Sequence, residues 1–176
     1  MTDLRYPIGE FKLGSDDLTD AQRAQFINEI AEAPARLSDA VRGLSPAQLD
    51  TPYRPEGWTV RQVAHHLPDS HLNAYARFKL ALTEGEPTIK PYDEAGWAEL
   101  FDGRTAPVEV SLRLLEALHE RWVMLLRSLS SADFRRAFRH PKLGIVSLDK
   151  SLALYAWHGR HHVAQITALR ERMEWS

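Results

Sequence analysis

The 176-residue sequence contains no cysteine. That absence excludes disulfide bonds, thiolate metal sites and a cysteine nucleophile, so a metal would have to be held by histidine nitrogen and by oxygen. No stretch approaches the run of about 20 apolar residues that a membrane span requires. Met1 to Pro7 lacks the apolar centre of a secretory signal, and the expectation is a cytoplasmic protein. A surplus of positive charge is missing too: 22 Lys and Arg stand against 24 Asp and Glu, a formal net charge of -2. Without a basic field to attract polyanions, neither nucleic acid nor an anionic membrane is expected as a partner. What remains is 44% hydrophobic and 26% charged, an ordinary globular composition that suits a single domain over residues 1–176 with its own core.

Histidine is where the sequence becomes specific. His66 lies in Val63-Ala64-His65-His66-Leu67, and His158 and His162 lie in Trp157-His158-Gly159-Arg160-His161-His162. Both runs fall in segments of helical periodicity, where residues four apart project roughly 40° from one another around the axis. Imidazole nitrogen is a strong ligand for divalent transition metals, zinc and nickel equally, and three protein ligands leave a coordination position for a reacting molecule. One histidine on an apolar face is more often a core side chain than a ligand. Two runs on two inward faces shift the balance toward a metal site of His66, His158 and His162.

The flanking segments read as helices. Residues up to about Asp17, with Pro7, Gly9 and Gly14, predict an extended arm over the surface. Thr19 caps a helix to about Arg42, with Pro34 expected to kink it. Ser45-Pro46 opens a short connecting helix. Thr59 and Gln62 form a capping box for a helix running to about Glu84, its inner face holding Val63, His66, Leu67, Ser70, Ala74, Phe78 and Ala81. On this reading His65 falls on a polar flank with Arg61, Gln62 and Asp69, and Pro68 bends the helix within a turn of His66. A long connection from Glu86 to about Ala106 follows, with a turn of helix near Asp93 to Leu100, suited to a flap or a crossover. Pro107 to about Leu129 carries a leucine-rich stripe, on which His119 reads as structural. Ser131 to Ala137 predicts a short helix, and 138–145 a loop or small hairpin. Ser147 caps a final helix whose inward positions are Leu148, Leu152, Tyr155, His158, His162, Ile166, Leu169 and Met173, with His161 on the shoulder. Four long helices with no competing strand pattern predict an all-α four-helix bundle with a long crossover connection. The positions of the histidines are compatible with convergence near one end of it.

With these residues placed, the sequence resembles the DinB-like superfamily, and within it the YfiT-like branch of bacillithiol transferases, whose members also carry metal-dependent hydrolase designations. The resemblance rests on Tyr6-Pro7-Ile8-Gly9-Glu10, Asp50-Thr51-Pro52-Tyr53-Arg54, Gly57 to Val63, His65-His66-Leu67, Asp69-Ser70-His71, Pro91-Tyr92-Asp93-Glu94 and Tyr155 to His162. It implies a four-helix bundle of unusual connectivity, a homodimer, and a metal triad mapping onto His66, His158 and His162, with one metal per subunit. Pro68 departs from what the resemblance leads one to expect inside that helix.

Two chemistries follow. In one, a divalent metal activates the sulfur of a small thiol, which attacks an electrophilic small molecule; the resemblance alone implies bacillithiol as co-substrate. In the other, the metal activates water for hydrolysis of an amide or ester. Asp69, Tyr155 and His71 are candidate proton-handling or supporting residues, with a solvated flank or core packing as the plainer explanation of each. A third reading is a bundle with a purely structural metal, or none; structural sites are normally closed by four protein ligands, and three stand out here. Trp97 and Phe101 in the connection could line a pocket or make a dimer contact, but ordinary burial is the default expectation for large aromatic side chains.

Overall fold

The computed structural model describes residues 3–12 and 17–175; the part of the expected arm at 13–16 lies outside them. In chain order the elements are α1 (Asp20–Val41), α2 (Pro46–Leu49), α3 (Val60–Thr83), α4 (Glu94–Ala98), α5 (Phe101–Thr105), α6 (Val108–Ser128), α7 (Ser131–Phe134), β1 (Ala137–His140), β2 (Gly144–Ser147) and α8 (Leu148–Arg172). Four helix starts are full capping boxes, the one at Thr59 as expected and one at α7 made by Ser130 with Asp133. Thr19 with Gln22, Ser45 with Gln48 and Thr59 with Gln62 each exchange side-chain and backbone bonds that satisfy donors no helix can satisfy itself. Ser147 caps α8 by accepting from the Lys150 amide.

The four long helices α1, α3, α6 and α8 form the bundle. α1 packs on α6 and α8, and α3 packs on the same two, so α1 and α3 lie across a diagonal. Contacts fix the directions. His65 meets Ser111 and His71 meets His119, so α3 and α6 run parallel. Arg23 meets Asp149 and the Ala40 carbonyl meets Arg170, so α1 and α8 are parallel too. Parallel neighbours cannot be joined by a tight turn. The connection after α3 must travel the length of the bundle before α6 can start, which is why it is long. It begins beside the hairpin, where the Ile89 amide donates to the Arg139 carbonyl, and ends beside Arg61 and His65, which bond the Ala106 carbonyl. β1 and β2 pair antiparallel through Phe138 with Val146, making the small hairpin expected at this point.

Two apolar clusters fill the bundle. One gathers Ile27, Ile30, Phe78, Trp122, Leu148 and Leu152; the other Leu37, Val63, Leu67, Leu115, Ile166 and Leu169. His119 on α6, His158 and His162 on α8 and His71 on α3 fall between these clusters, while His66 sits among Val63, Ala64 and Leu67 of the second. The histidines therefore meet at the waist of the bundle rather than near one end.

Several details differ from the sequence reading. Arg61, Gln62 and His65 are buried, at 8%, 8% and 6% exposure, because the connection's short helices α4 and α5 cover that side of α3. Their polar atoms are met there. Gln62 donates to the Ala98 carbonyl, and His65 bonds Ser111 Oγ and the Ala106 carbonyl. Met173 is exposed, since α8 stops at Arg172. Phe101, expected to be buried, is 84% exposed; Trp97 is partly exposed and packs its ring on Tyr92. No helix of the described residues is long and apolar enough to cross a membrane.

Candidate metal centre

α3 delivers His66 and α8 delivers His158 and His162 to one point. Antiparallel packing of α3 on α8 brings the single inward histidine of one against the four-residue pair of the other. His158 Nε2 lies 3.3 Å from His66 Nε2 and 3.2 Å from His162 Nε2. The three ligand atoms all lie within 4.8 Å of one another. Among the described residues this cluster has three members, with no fourth histidine or carboxylate completing it. Pro68 stands inside α3 two residues beyond His66, and the helix runs on through it.

Burial sets the protonation of these rings. It lowers the pKa of His66 to about 4, with His161 a smaller contributor, and holds His158 and His162 well below the ordinary histidine value. All three are neutral near pH 7, which a nitrogen ligand must be.

The partners of His162 say which of its nitrogens is bare. Gln165 Nε2 donates to the Arg5 carbonyl, which can only accept, so the amide oxygen is the atom facing His162. That Oε1 lies 2.9 Å from His162 Nδ1 and must receive its proton. His162 Nε2 is thus a buried acceptor aimed at His158. A cation between the two rings would be held by this lone pair and by one on His158 Nε2. Nitrogen ligands at about 2.0–2.1 Å from a tetrahedral zinc stand about 3.3–3.4 Å apart, close to the spacings present here. The donor set fits a divalent transition metal.

The walls follow from the loop before α3 and from the N-terminal arm. Trp58 lies against His66 at 4.7 Å between ring centroids and near His162 at 6.5 Å. The arm crosses α8, held by its Arg5 carbonyl on Gln165 and by Tyr6 against His161. His161 is accordingly buried, stacked on Trp157 at 4.4 Å, and its Nε2 takes a hydrogen bond from Gln165. Between arm and loop opens a cleft of about 480 Å³ that reaches His162, with Arg5 and Arg54 among its lining cations. Gly57 is needed in that loop because a Cβ there would stand 2.7 Å from Arg54 Cγ and 3.2 Å from the Arg54 carbonyl oxygen.

The other candidates sort clearly. His71 joins the centre through a bond to His158, and Tyr155 packs its ring on both, at 5.2 Å from His71 and 5.6 Å from His158. No hydrogen bond or ring contact among the described residues joins Asp69 to the three histidines. Its carboxyl pKa is raised to about 6 by burial, with Asp102 adding to it. His119 is buried and is not one of the cluster. His140 accepts from the Lys142 and Leu143 amides and closes the hairpin turn. Gln165 was not singled out by the sequence; its only signal is its place three residues after His162 on the same helix.

A bundle whose waist carries three converging, uncharged imidazoles belongs to the class of helical proteins that build metal-type donor sets from facing helices. More narrowly, the chain belongs to the DinB superfamily, whose sequence model matches residues 29–166. It is 54% identical over 97% of its length to a protein of Oceanobacillus iheyensis, covering 98% of that protein, which is named "putative metal-dependent hydrolase". A Bacillus mycoides protein of the same designation is 55% identical, with 99% of this chain and all of that one aligned. In structure it matches YfiT from Bacillus subtilis with a TM-score of 0.96, 52% identity and coverage of 98% and 99% of the two chains; YfiT is described as a probable metal-dependent hydrolase with an unusual four-helix bundle topology. TT2238, a four-helix bundle protein, shares the fold at 18% identity and a TM-score of 0.58, over 83% of this chain and 98% of that one.

Proposed function

We propose that His66, His158 and His162 hold one divalent transition metal, zinc or nickel, and that the protein is a metal-dependent enzyme transferring a low-molecular-weight thiol, bacillithiol, to electrophilic small molecules. The observation that carries this reading is the convergence of three neutral imidazoles, the Nε2 atoms of His66 and His162 lying 3.3 and 3.2 Å from that of His158, beside an open cleft. A bound cation supplies Lewis acidity, which lowers the pKa of a thiol or water at its free position.

The chain's own residues do the rest. Trp58 walls His66 and His162 on the side of the loop, and Gln165 keeps His162 in the tautomer that offers Nε2. Arg5, already paired with Asp3, and Arg54 line the cleft together with Glu56 and Glu94, so its mouth carries charges of both signs. The reaction forms a carbon–sulfur bond while the leaving group departs with its electron pair, and the thiol proton passes to solvent. Such a transfer needs no protein base once the thiol is ionised, and no carboxylate among the described residues touches the histidine cluster. Hydrolysis is the second reading, favoured by the designations of the relatives.

One assay separates them. Metal-loaded protein is mixed with bacillithiol and monochlorobimane, and with an ester in the absence of thiol. Conjugation that disappears on chelation and in His158→Ala supports transfer; ester turnover without thiol supports hydrolysis; metal binding with neither activity overturns both.

A further inference from the structure

His158 Nε2 faces the other two ligands, but its second nitrogen leads away from them across the bundle. Nδ1 lies 3.1 Å from His71 Nε2. His71 Nδ1 lies 2.8 Å from His119 Nε2, and His119 Nδ1 lies 2.7 Å from the Ile30 carbonyl oxygen of α1. This carbonyl is available for a reason written in the sequence. In an α-helix it would accept from the amide four residues on, and that residue is Pro34, which has none.

A carbonyl oxygen only accepts, so it gives the line of rings a direction. His119 must carry its proton on Nδ1 and show a bare Nε2. His71 must then donate from Nδ1 and accept at Nε2, and His158 must donate from Nδ1. Its Nε2 is left as a lone pair. His71 and His119 are 0% and 1% exposed, so water cannot offer either ring another partner. Trp122 sets its plane edge-on to both, at 88° and 90°, and fixes their orientation.

We propose that Pro34, the Ile30 carbonyl, His119 and His71 form a one-way hydrogen-bond relay that locks His158 in the Nδ1–H tautomer and so dedicates its Nε2 to the metal. His71 and His119 are positioning residues that never touch substrate. The inference rests on the metal-centre reading above, but its core is a statement about the protein without metal.

Histidine nitrogen NMR of the metal-free protein tests that core directly. His71, His119 and His158 are expected each to show a protonated Nδ1 and an unprotonated Nε2; a proton on Nε2 of any of the three overturns the relay. Competition for zinc against a chromogenic chelator tests its consequence. His119→Phe is expected to weaken zinc binding roughly 10–100-fold, the effect typical of lost partners behind a ligand. His119→Gln, which can donate to the Ile30 carbonyl and accept from His71, is expected to stay near wild type. Unchanged affinity in His119→Phe, or equal loss in both variants, overturns the proposal. Should His119→Phe not fold, the wild-type spectrum decides alone. Should wild type bind no zinc, the metal reading fails while the spectrum still rules on the relay.

Discussion

At the scale of the residue, Gln165 shows how fully a site can commit a side chain. Its oxygen takes the His162 Nδ1 proton, and its nitrogen serves both the Arg5 carbonyl and His161 Nε2. Gln165→Leu removes all three bonds without touching a ligand, and metal affinity measured by chelator competition should drop roughly 10–100-fold. The buried rings make a second, different prediction. Burial holds the pKa of His119 at about 4 and that of His71 well below its ordinary value, while an unfolded histidine titrates near 6.5. Between those limits the unfolded chain binds protons that the folded one refuses. Stability of the metal-free protein should therefore be level above pH 6.5 and fall as the pH drops toward about 4. Thermal melts across that range check it, and His119→Gln should flatten the slope. The triad was legible in the sequence because the four-residue step from His158 to His162 is a property of one helix. The bond of His71 to His158 and the anchoring of His119 were not, because each depends on how one helix registers against another. Pro34 upstream of a lone buried histidine was the available clue.

At the scale of the element, what could be read was whatever is decided within a few residues. Thr19, Ser45, Thr59 and Ser147 cap where their side chains reach the nearby amides, so starts were predictable to a residue. The polar flank assigned to His65 was misread for the opposite reason. A helix face is solvated or buried according to what crosses it, and α4 and α5 come from another part of the chain. Gly159 marks a second such crossing. A Cβ built on it would stand 3.2 Å from Ala33 Cβ and 3.8 Å from His71 Cε1, so α1 and α8 approach closely beside the histidines. Gly159→Val overfills this contact, and we expect a loss of about 1–3 kcal/mol in denaturant unfolding. Unchanged stability would mean that α8 yields more readily than its packing suggests.

At the scale of the whole molecule, the helix count and the bundle were evident from periodicity, while the order of packing was hidden. Arg23 explains part of that order. It forms a two-pronged pair with Asp149 at 2.7 Å for each bond, the two side chains being 9% and 1% exposed, and Asp149 also accepts from the Leu18 amide. Here the entry to α1 is tied to the first turn of α8. Asp149→Ala strands a buried guanidinium that keeps its bond to exposed Asp20 and its place over the Phe134 ring, and should lower unfolding free energy by about 3 kcal/mol. A calorimetric or denaturant measurement showing less than a third of that would assign the pair to specificity rather than stability.

The side-by-side alignment of α1 with α8 also governs the birth of the protein. Ile30 and Leu37 emerge from the ribosome more than a hundred residues before Leu152 and Ile166 are made. At synthesis rates of about 5–20 residues per second, that apolar stripe waits on the order of ten seconds for its neighbour. Half-made chains are thus obliged to shield it in some other way, and only the last helix to appear both closes the interior and delivers two of the three histidines.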